Sequence, residues 1–374
     1  MNSLDLSSWV RHGWLLLLVF TVTVPAFARL PSADRSISPA AQAAVIDSLV
    51  SRLQSDYVYP AAVTGIASGL KKKLHAGDYA KDLSAEAFAD HLGRDLRDLG
   101  NDLHLRVSYD PAFQAPPDDG QQVVATKADL DEERDWIASK AAGIAAVRHL
   151  PGNIGYIDLR EFMPADFVGQ YYASAMTLVS GSTGLIIDLR QNIGGDPHAV
   201  ALLLSYFFAE NDGRHLNDIY WRKDGTTDQF WTVPVAGSRF LGPVYVLTSA
   251  RTFSGGEECA YDFQTQKRAT IVGAVTGGGA NPGGPQILVD GFVAGVPAGR
   301  AINPVTKTNW EHVGVKPDVP AASADAFHVA YKALLEKAFG ATKDGEQRRQ
   351  LEKALSLLQS DRGEVPDYKP VNAH

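Results

Sequence analysis

Short apolar runs alternate with helical patterns through the middle of this chain, and that alternation limits the architectures open to it. Ile154–Leu159, Leu185–Leu189, Val244–Leu247 and Thr270–Val272 read as buried strands. Between them, helical spacing runs from Asp166 to Val179, Pro197 to Phe208 and Ser254 to Gln264. Strands separated by helices predict an α/β layer with crossover connections. One hairpin interrupts the series: Ile219–Lys223 and Gln229–Val233 flank Asp224-Gly225-Thr226-Thr227. The glycine clusters Gly277-Gly278-Gly279 and Gly283-Gly284 lie between strands and are too short to be flexible linkers, which marks them as loops of a functional site.

The chain ahead of this region has a different texture. From Ser38 to Leu99 the apolar residues recur at helical spacing, as in Val45, Leu49, Leu53 and then Phe88, Leu92, Leu96 and Leu99. Pro60 breaks the first helix, Lys71-Lys72-Lys73 forms a solvated face, and Ser84 with Glu86 and Ala87 starts a helix. Pro111, Pro116, Pro117 and Gly120 mark a linker, followed by an acidic helix from Asp129 to Lys140 and by the α/β region from near Ile144. The expected division is a helical domain at 29–110, an α/β domain at 111–345, and a C-terminal helix and tail at 346–374.

Residues 1–28 read as an export signal. Arg11 and His12 precede an apolar run from Trp14 to Phe27, and Ala26-Phe27-Ala28 supplies the small residues before a cut after Ala28. The run is shorter than the roughly 20 apolar residues of a spanning helix. Removing the signal takes away Asp5 and Arg11, one charge of each sign, so the mature chain keeps a formal net charge of -8. Net acidity without a long basic run argues against a nucleic-acid partner. The single cysteine, Cys259, excludes an internal disulfide framework and any thiolate metal cage, and it reads as a packing residue. No H-E-x-x-H or comparable metal spacing occurs, so no metal or other cofactor is expected.

Two strand-to-helix junctions carry the chemistry. In Thr248-Ser249-Ala250-Arg251-Thr252-Phe253-Ser254-Gly255-Gly256-Glu257 the serine stands at a sharp turn, where the first amides of the next helix can face an attacked oxygen. Thr252 replaces the first glycine of a G-x-S-x-G elbow, and from this segment alone an N-cap serine with Glu257 completing a capping box is the favoured reading. In Asp188-Leu189-Arg190-Gln191-Asn192-Ile193-Gly194-Gly195-Asp196-Pro197 two glycines can turn amides into an open pocket. The segment lacks both G-x-G-x-x-G and a Walker lysine, which weakens a phosphate-loop reading. As base, His104 in Asn101-Asp102-Leu103-His104-Leu105-Arg106-Val107 is the first candidate and His312 in Trp310-Glu311-His312-Val313-Gly314-Val315 its rival. His198, His215 and His328 read as surface or helix residues.

Taken in order, Asp102-Leu103-His104-Leu105, Asp188-Leu189-Arg190 with Ile193-Gly194-Gly195, Ser254-Gly255-Gly256-Glu257, and Gly314-Val315-Lys316-Pro317-Asp318 resemble the tail-specific, or C-terminal processing, serine peptidases. The resemblance spans roughly residues 40 to 335. It is closest to the branch of the tricorn protease core and the interphotoreceptor retinoid-binding protein modules. It implies a crotonase-like αβ spiral core beside the small N-terminal helical domain, and makes 111–345 the serine peptidase catalytic domain. The lysine of the family's Ser-Lys dyad is replaced here by Ala274-Val275-Thr276, after the strand Ala269–Gly273. The histidine branch then maps onto Ser254 as nucleophile, His104 as base and Glu311 as the acid that orients it. Gly255 and Gly195, with Gly194 beside them, form the oxyanion hole. Asn281 stands where relatives carry a histidine, and the segment between His104 and Ile144 is too short for a PDZ module.

The expectation is therefore an exported hydrolase, periplasmic or extracellular, that cleaves peptide or protein substrates through an acyl-enzyme. The alternatives are a non-catalytic module for an apolar ligand and an esterase or amidase with the same triad. The sequence fixes no oligomeric state.

Overall fold

A computed structural model describes residues 35–113 and 125–360 of the chain. The signal at 1–28, the linker residues Pro116, Pro117 and Gly120, and the end of the C-terminal tail lie outside the described residues. In chain order the elements are α1 (Pro39–Asp56), α2 (Pro60–Ala76), α3 (Ala85–Gly100), β1 (Arg106–Tyr109), α4 (Lys127–Ser139), β2 (Ile144–Leu150), β3 (Ile154–Leu159), α5 (Ala165–Val179), β4 (Gly184–Asp188) and α6 (Pro197–Ser205). There follow β5 (His215–Trp221), β6 (Thr226–Trp231), β7 (Val244–Thr248), α7 (Gly255–Thr265), β8 (Thr270–Gly273), β9 (Gly283–Ile287), β10 (Phe292–Pro297), β11 (Gly299–Ile302), β12 (Val319–Pro320), α8 (Ala326–Ala341) and α9 (Gly345–Gln359).

The central sheet has the order β12-β8-β7-β4-β3-β2. β3, β4, β7, β8 and β12 run parallel, and β2 adds an antiparallel edge to β3. Both of its faces are covered, which explains the nearly continuous apolar strands. Leu185 and Ile187 of β4, Val246 of β7 and Ile271 of β8 point into a core made with α5, α6 and α7. Their neighbours Ile186, Leu247 and Val272 point the other way, against Phe327, Tyr331, Leu334 and Leu335 of α8 and Leu351 and Leu358 of α9. The period-2 alternation of a strand thus feeds two cores at once.

A third core gathers α1, α2 and α3. It is closed by Leu288, Phe292, Ala294 and Val296 from the region of β10, far along the sequence. β10 pairs with β1 and β9 in a small antiparallel sheet, and β5 pairs with β6 and β11 in another. Pro60 stands at the first position of α2, where its missing N–H costs nothing. Ser84 caps α3 by accepting from Ala87 N–H at 3.2 Å. Within the lysine run, Lys73 reaches the mostly buried Asp95 at 3.0 Å, so that side of the run is not purely a solvated face.

Two expectations need correcting. The crotonase-like αβ spiral does not form. A spiral winds successive strand and helix units along one axis, whereas here the parallel strands lie side by side in one sheet with helices on both faces. The remaining strands separate into two small antiparallel sheets. The fold is a mixed α/β architecture of a central sheet, small β-sheets and helices. The hairpin's turn also moves: Trp221 pairs with Thr226, so residues 222–225 make the connection. Thr226 and Thr227 are β-branched and extend the strand, while Gly225, at φ 64°, takes the left-handed turn position.

Candidate active site

Adjacent parallel strands β4, β7 and β8 end at one edge, and the loops leaving their carboxyl ends meet there, as expected of ligand sites in parallel sheets. These are loops 189–196, 249–254 and 274–282. They are held together by buried polar side chains. Thr252 Oγ1 donates to Leu189 O at 2.7 Å and Ser249 Oγ to Arg190 O at 2.5 Å, which ties the second loop to the first. Asn192, fully buried, donates from Nδ2 to Leu159 O at 3.0 Å and accepts Gly194 N–H at 2.9 Å, while its carbonyl accepts Phe253 N–H. Arg190, 1% exposed, forks onto Asp188 at 2.9 and 2.6 Å and donates to Ser323 O, so the Asp-Leu-Arg motif anchors the first loop.

Ser254 occupies a strained position. Its backbone has φ 52° and ψ -122°, and Gly256 N–H closes the turn onto Phe253 O at 2.9 Å. These are the angles of the first central residue of a type II′ turn, ordinarily a glycine. A non-glycine residue held there is a feature of functional sites. The Glu257 half of the expected capping box is present, since Glu257 Oε2 accepts Ser254 N–H at 3.0 Å. Glu257 does more than cap. Fully buried, it also accepts Gly278 N–H at 2.7 Å, Gly279 N–H at 2.8 Å and the Thr276 hydroxyl at 2.5 Å. Burial pushes its carboxyl up to about 7, opposed by those hydrogen bonds.

The glycines crowd against the serine. A β-carbon at Gly194 would sit 2.7 Å from Ser254 Cβ, and one at Gly255 would sit 3.1 Å from Gly195 N. Gly194 N–H is already spent on Asn192. The amides of Gly195 and Gly255 are absent from the loop's internal backbone hydrogen bonds. Those two therefore remain as donors beside the hydroxyl.

His104 reaches the same place from the short turn ahead of β1. Its ring lies 4.6 Å from that of Phe253, tilted by 35°, and its Cε1 would be 2.7 Å from a β-carbon at Gly279. Neither ring nitrogen has a hydrogen-bond partner, so Ser254 Oγ is not bonded to it in this structure. Burial pulls the imidazole down to about 4, with Asp102 raising it and Arg106 lowering it further. At neutral pH the ring is uncharged, the form a general base requires.

Glu311 lies across the same loop. Its Oε2 accepts Ala280 N–H at 2.5 Å, and its Oε1 has no hydrogen-bond partner although buried. Burial, reinforced by Asp102, raises its carboxyl to about 8. The rival His312 has Nδ1 3.5 Å from Glu311 Oε1, but its side chain is 45% exposed. Ser254, His104, Glu311, Gly194, Gly195 and Gly255 thus surround one loop cluster, with no hydrogen bond yet joining serine, histidine and glutamate.

Sequence reasoning passed over several participants. Asp102, 1% exposed, accepts His104 N–H at 2.9 Å, the Tyr57 hydroxyl at 3.2 Å and Asn281 Nδ2 at 3.0 Å. Tyr59 in turn donates to Asn281 Oδ1 at 3.2 Å. The only signal was the acid two residues before His104. Cys259 is buried, and among the described residues no group of three or more metal-ligating side chains could hold a metal ion. Nor is any helix among them long and apolar enough to cross a membrane. A surface cavity of about 740 Å³ between β2–β3 and α8–α9 is lined by none of the site residues.

Comparison with known proteins supplies the context. The model of "Peptidase family S41" matches residues 153–321, and that of "N-terminal domain of Peptidase_S41 in eukaryotic IRBP" matches residues 39–138. Among solved structures, a peptidase candidate from Parabacteroides merdae ATCC 43184 is similar over 81% of this chain and 99% of its own, with a TM-score of 0.56 at 17% identity. A lipoprotein from Streptococcus agalactiae matches over 79% of this chain and 96% of its own, with a TM-score of 0.52 at 14% identity. Mature CPAF matches over 87% of this chain and 99% of its own, with a TM-score of 0.51 at 12% identity. At these identities the likeness is one of fold.

Proposed function

Because this chain belongs to peptidase family S41, a serine-peptidase family of hydrolases, we propose that it cleaves peptide bonds through an acyl-enzyme on Ser254. The observation that carries the reading is the strained Ser254 backbone directly beside the unspent amides of Gly195 and Gly255. His104 Nε2 takes the serine proton as the hydroxyl attacks the carbonyl carbon, and later gives it to the leaving amine. The tetrahedral oxyanion is met by the two glycine amides, each such donor being worth about 3 kcal/mol of barrier. Glu311, the acid that the resemblance assigns as third member of the triad, is buried near enough to Asp102 for that carboxyl to help raise its own. Water then hydrolyses the ester with His104 again as base.

A fluorophosphonate probe tests this. The wild type should be labelled at Ser254, with no labelling in Ser254→Ala and a steep fall in His104→Ala. An unlabelled wild type that cleaves no peptide library sinks the reading. Cleavage of simple esters or amides without peptides would move the substrate class to the esterase or amidase alternative. The division at 29–110, 111–345 and 346–374 and export through the leader at 1–28 belong to the same proposal. N-terminal sequencing of secreted protein should begin at Arg29, and an intact Met1 in the medium or periplasm would contradict it.

A further inference from the structure

We propose that Asp102 is the positioning residue for His104, holding Nδ1 so that Nε2 faces Ser254, while Glu311 secures the glycine loop. This rests on the Ser254–His104 reading and sharpens its third member. Asp102 Oδ1 lies 3.9 Å from His104 Nδ1 and accepts the main-chain N–H of the same histidine at 2.9 Å. The Asp102 carboxylate and the His104 main chain are therefore held on one Asx-type turn, two residues apart, which keeps the imidazole close to Oδ1. Oδ2 is held by the Tyr57 hydroxyl at 3.2 Å and by Asn281 Nδ2 at 3.0 Å. With three donors the carboxylate is oriented from both sides. The remaining gap to Nδ1 is of the kind that tightens when substrate fills a site.

Glu311 is placed differently. One oxygen takes Ala280 N–H, the other is without a hydrogen bond, and its charged-group neighbour in contact is His312. Burial and the neighbouring Asp102 favour its protonated form at neutral pH. A neutral acid does not offset an imidazolium. Asp102 is left to do so, with Arg106 opposing it at His104 and Tyr57, Tyr59 and Glu257 facing the two acids.

The test compares fluorophosphonate labelling rates of wild type, Asp102→Asn, Glu311→Gln and Tyr57→Phe across pH. Asp102→Asn should slow labelling by roughly a hundredfold or more, the scale of losing an oriented base, and Glu311→Gln by less than about tenfold. The acid limb of the profile should move to lower pH in Asp102→Asn, which loses a negative charge beside the ring. It should move to higher pH in Tyr57→Phe, which frees Asp102 from one donor. Those opposed shifts separate positioning from mere structural damage, and Tyr57→Phe carries the test if Asp102→Asn does not fold. Near-wild-type rates in Asp102→Asn with loss in Glu311→Gln overturn the inference, as does an unmoved acid limb in Tyr57→Phe. A wild type that no probe labels refutes the underlying serine-histidine reading instead.

Discussion

Replacing Ser254 with glycine should make the protein more stable while destroying its activity. At φ 52° and ψ -122° the serine backbone sits where side-chain-bearing residues are disfavoured. Holding it there costs on the order of 1–3 kcal/mol. Glycine removes that strain, but the freer unfolded chain takes back about 0.5–1 kcal/mol. The net expectation is a gain of about 1 kcal/mol, or about 2 °C in Tm for a chain of this size. Ser254→Ala keeps the strained backbone and should gain nothing. The helix-cap reading of the same residue predicts another order: glycine lower by a few tenths of a kcal/mol and alanine lower by about 1 kcal/mol. Thermal scans of the three proteins under identical conditions, with labelling as the activity readout, decide between them. A Ser254→Gly Tm at or below the wild type would refute the argument that the turn stores strain.

Other consequences follow from the same geometry. His104 has its folded-state value lowered to about 4 from an ordinary 6.5, so between those values the unfolded chain binds more protons and stability falls as pH drops. His104→Gln removes that penalty, and urea midpoints at pH 7 and 4.5 should show the variant gaining about 2 kcal/mol on the wild type at the lower pH. Glu311, raised to about 8, has the opposite sign: its contribution is present below about 4.5 and lost as pH rises through about 8, so Glu311→Gln should flatten the decline in denaturation midpoints between about pH 4.5 and 8. Glu257→Gln leaves several buried donors without a charged acceptor and should cost about 3 kcal/mol by urea denaturation, with loss of labelling. Leu103, Ile193, Val275 and Val313 stay exposed beside His104, Gly194, Thr276 and His312. Leu103→Asp and Ile193→Asp should raise KM for apolar peptides by about tenfold at unchanged Tm, and an unchanged KM would show that this rim does not meet substrate.

How far the site was legible depended on whether its signals were local. The strand-loop-helix junctions at Asp188 and Thr248 announced themselves because apolar strands, glycines and helix starts are written in consecutive residues. His104 was singled out by its surroundings, and the resemblance in motif order paired it with Ser254. The Asp102–Tyr57–Asn281–Tyr59 network was invisible, since its members come from the N-terminal helices and from a loop about 180 residues further on. Hydrogen bonding between distant side chains leaves no periodic trace in a sequence.

The sequence by itself determined the parallel strands, the helices between them and the glycines at the strand ends, because burial on two faces and turn geometry impose residue types position by position. Tertiary structure alone decided how those strands assemble. Sheet order and the split into one central and two small sheets depend on which apolar faces meet, as when Leu288 and Phe292 close the core of the first three helices. That is why the expected spiral gave way to a covered sheet with satellite hairpins. It also decided which buried acid stands against the imidazole, since the chain offers both Asp102 and Glu311 and only their packing sets Asp102 beside His104 Nδ1 and Glu311 against the glycine loop.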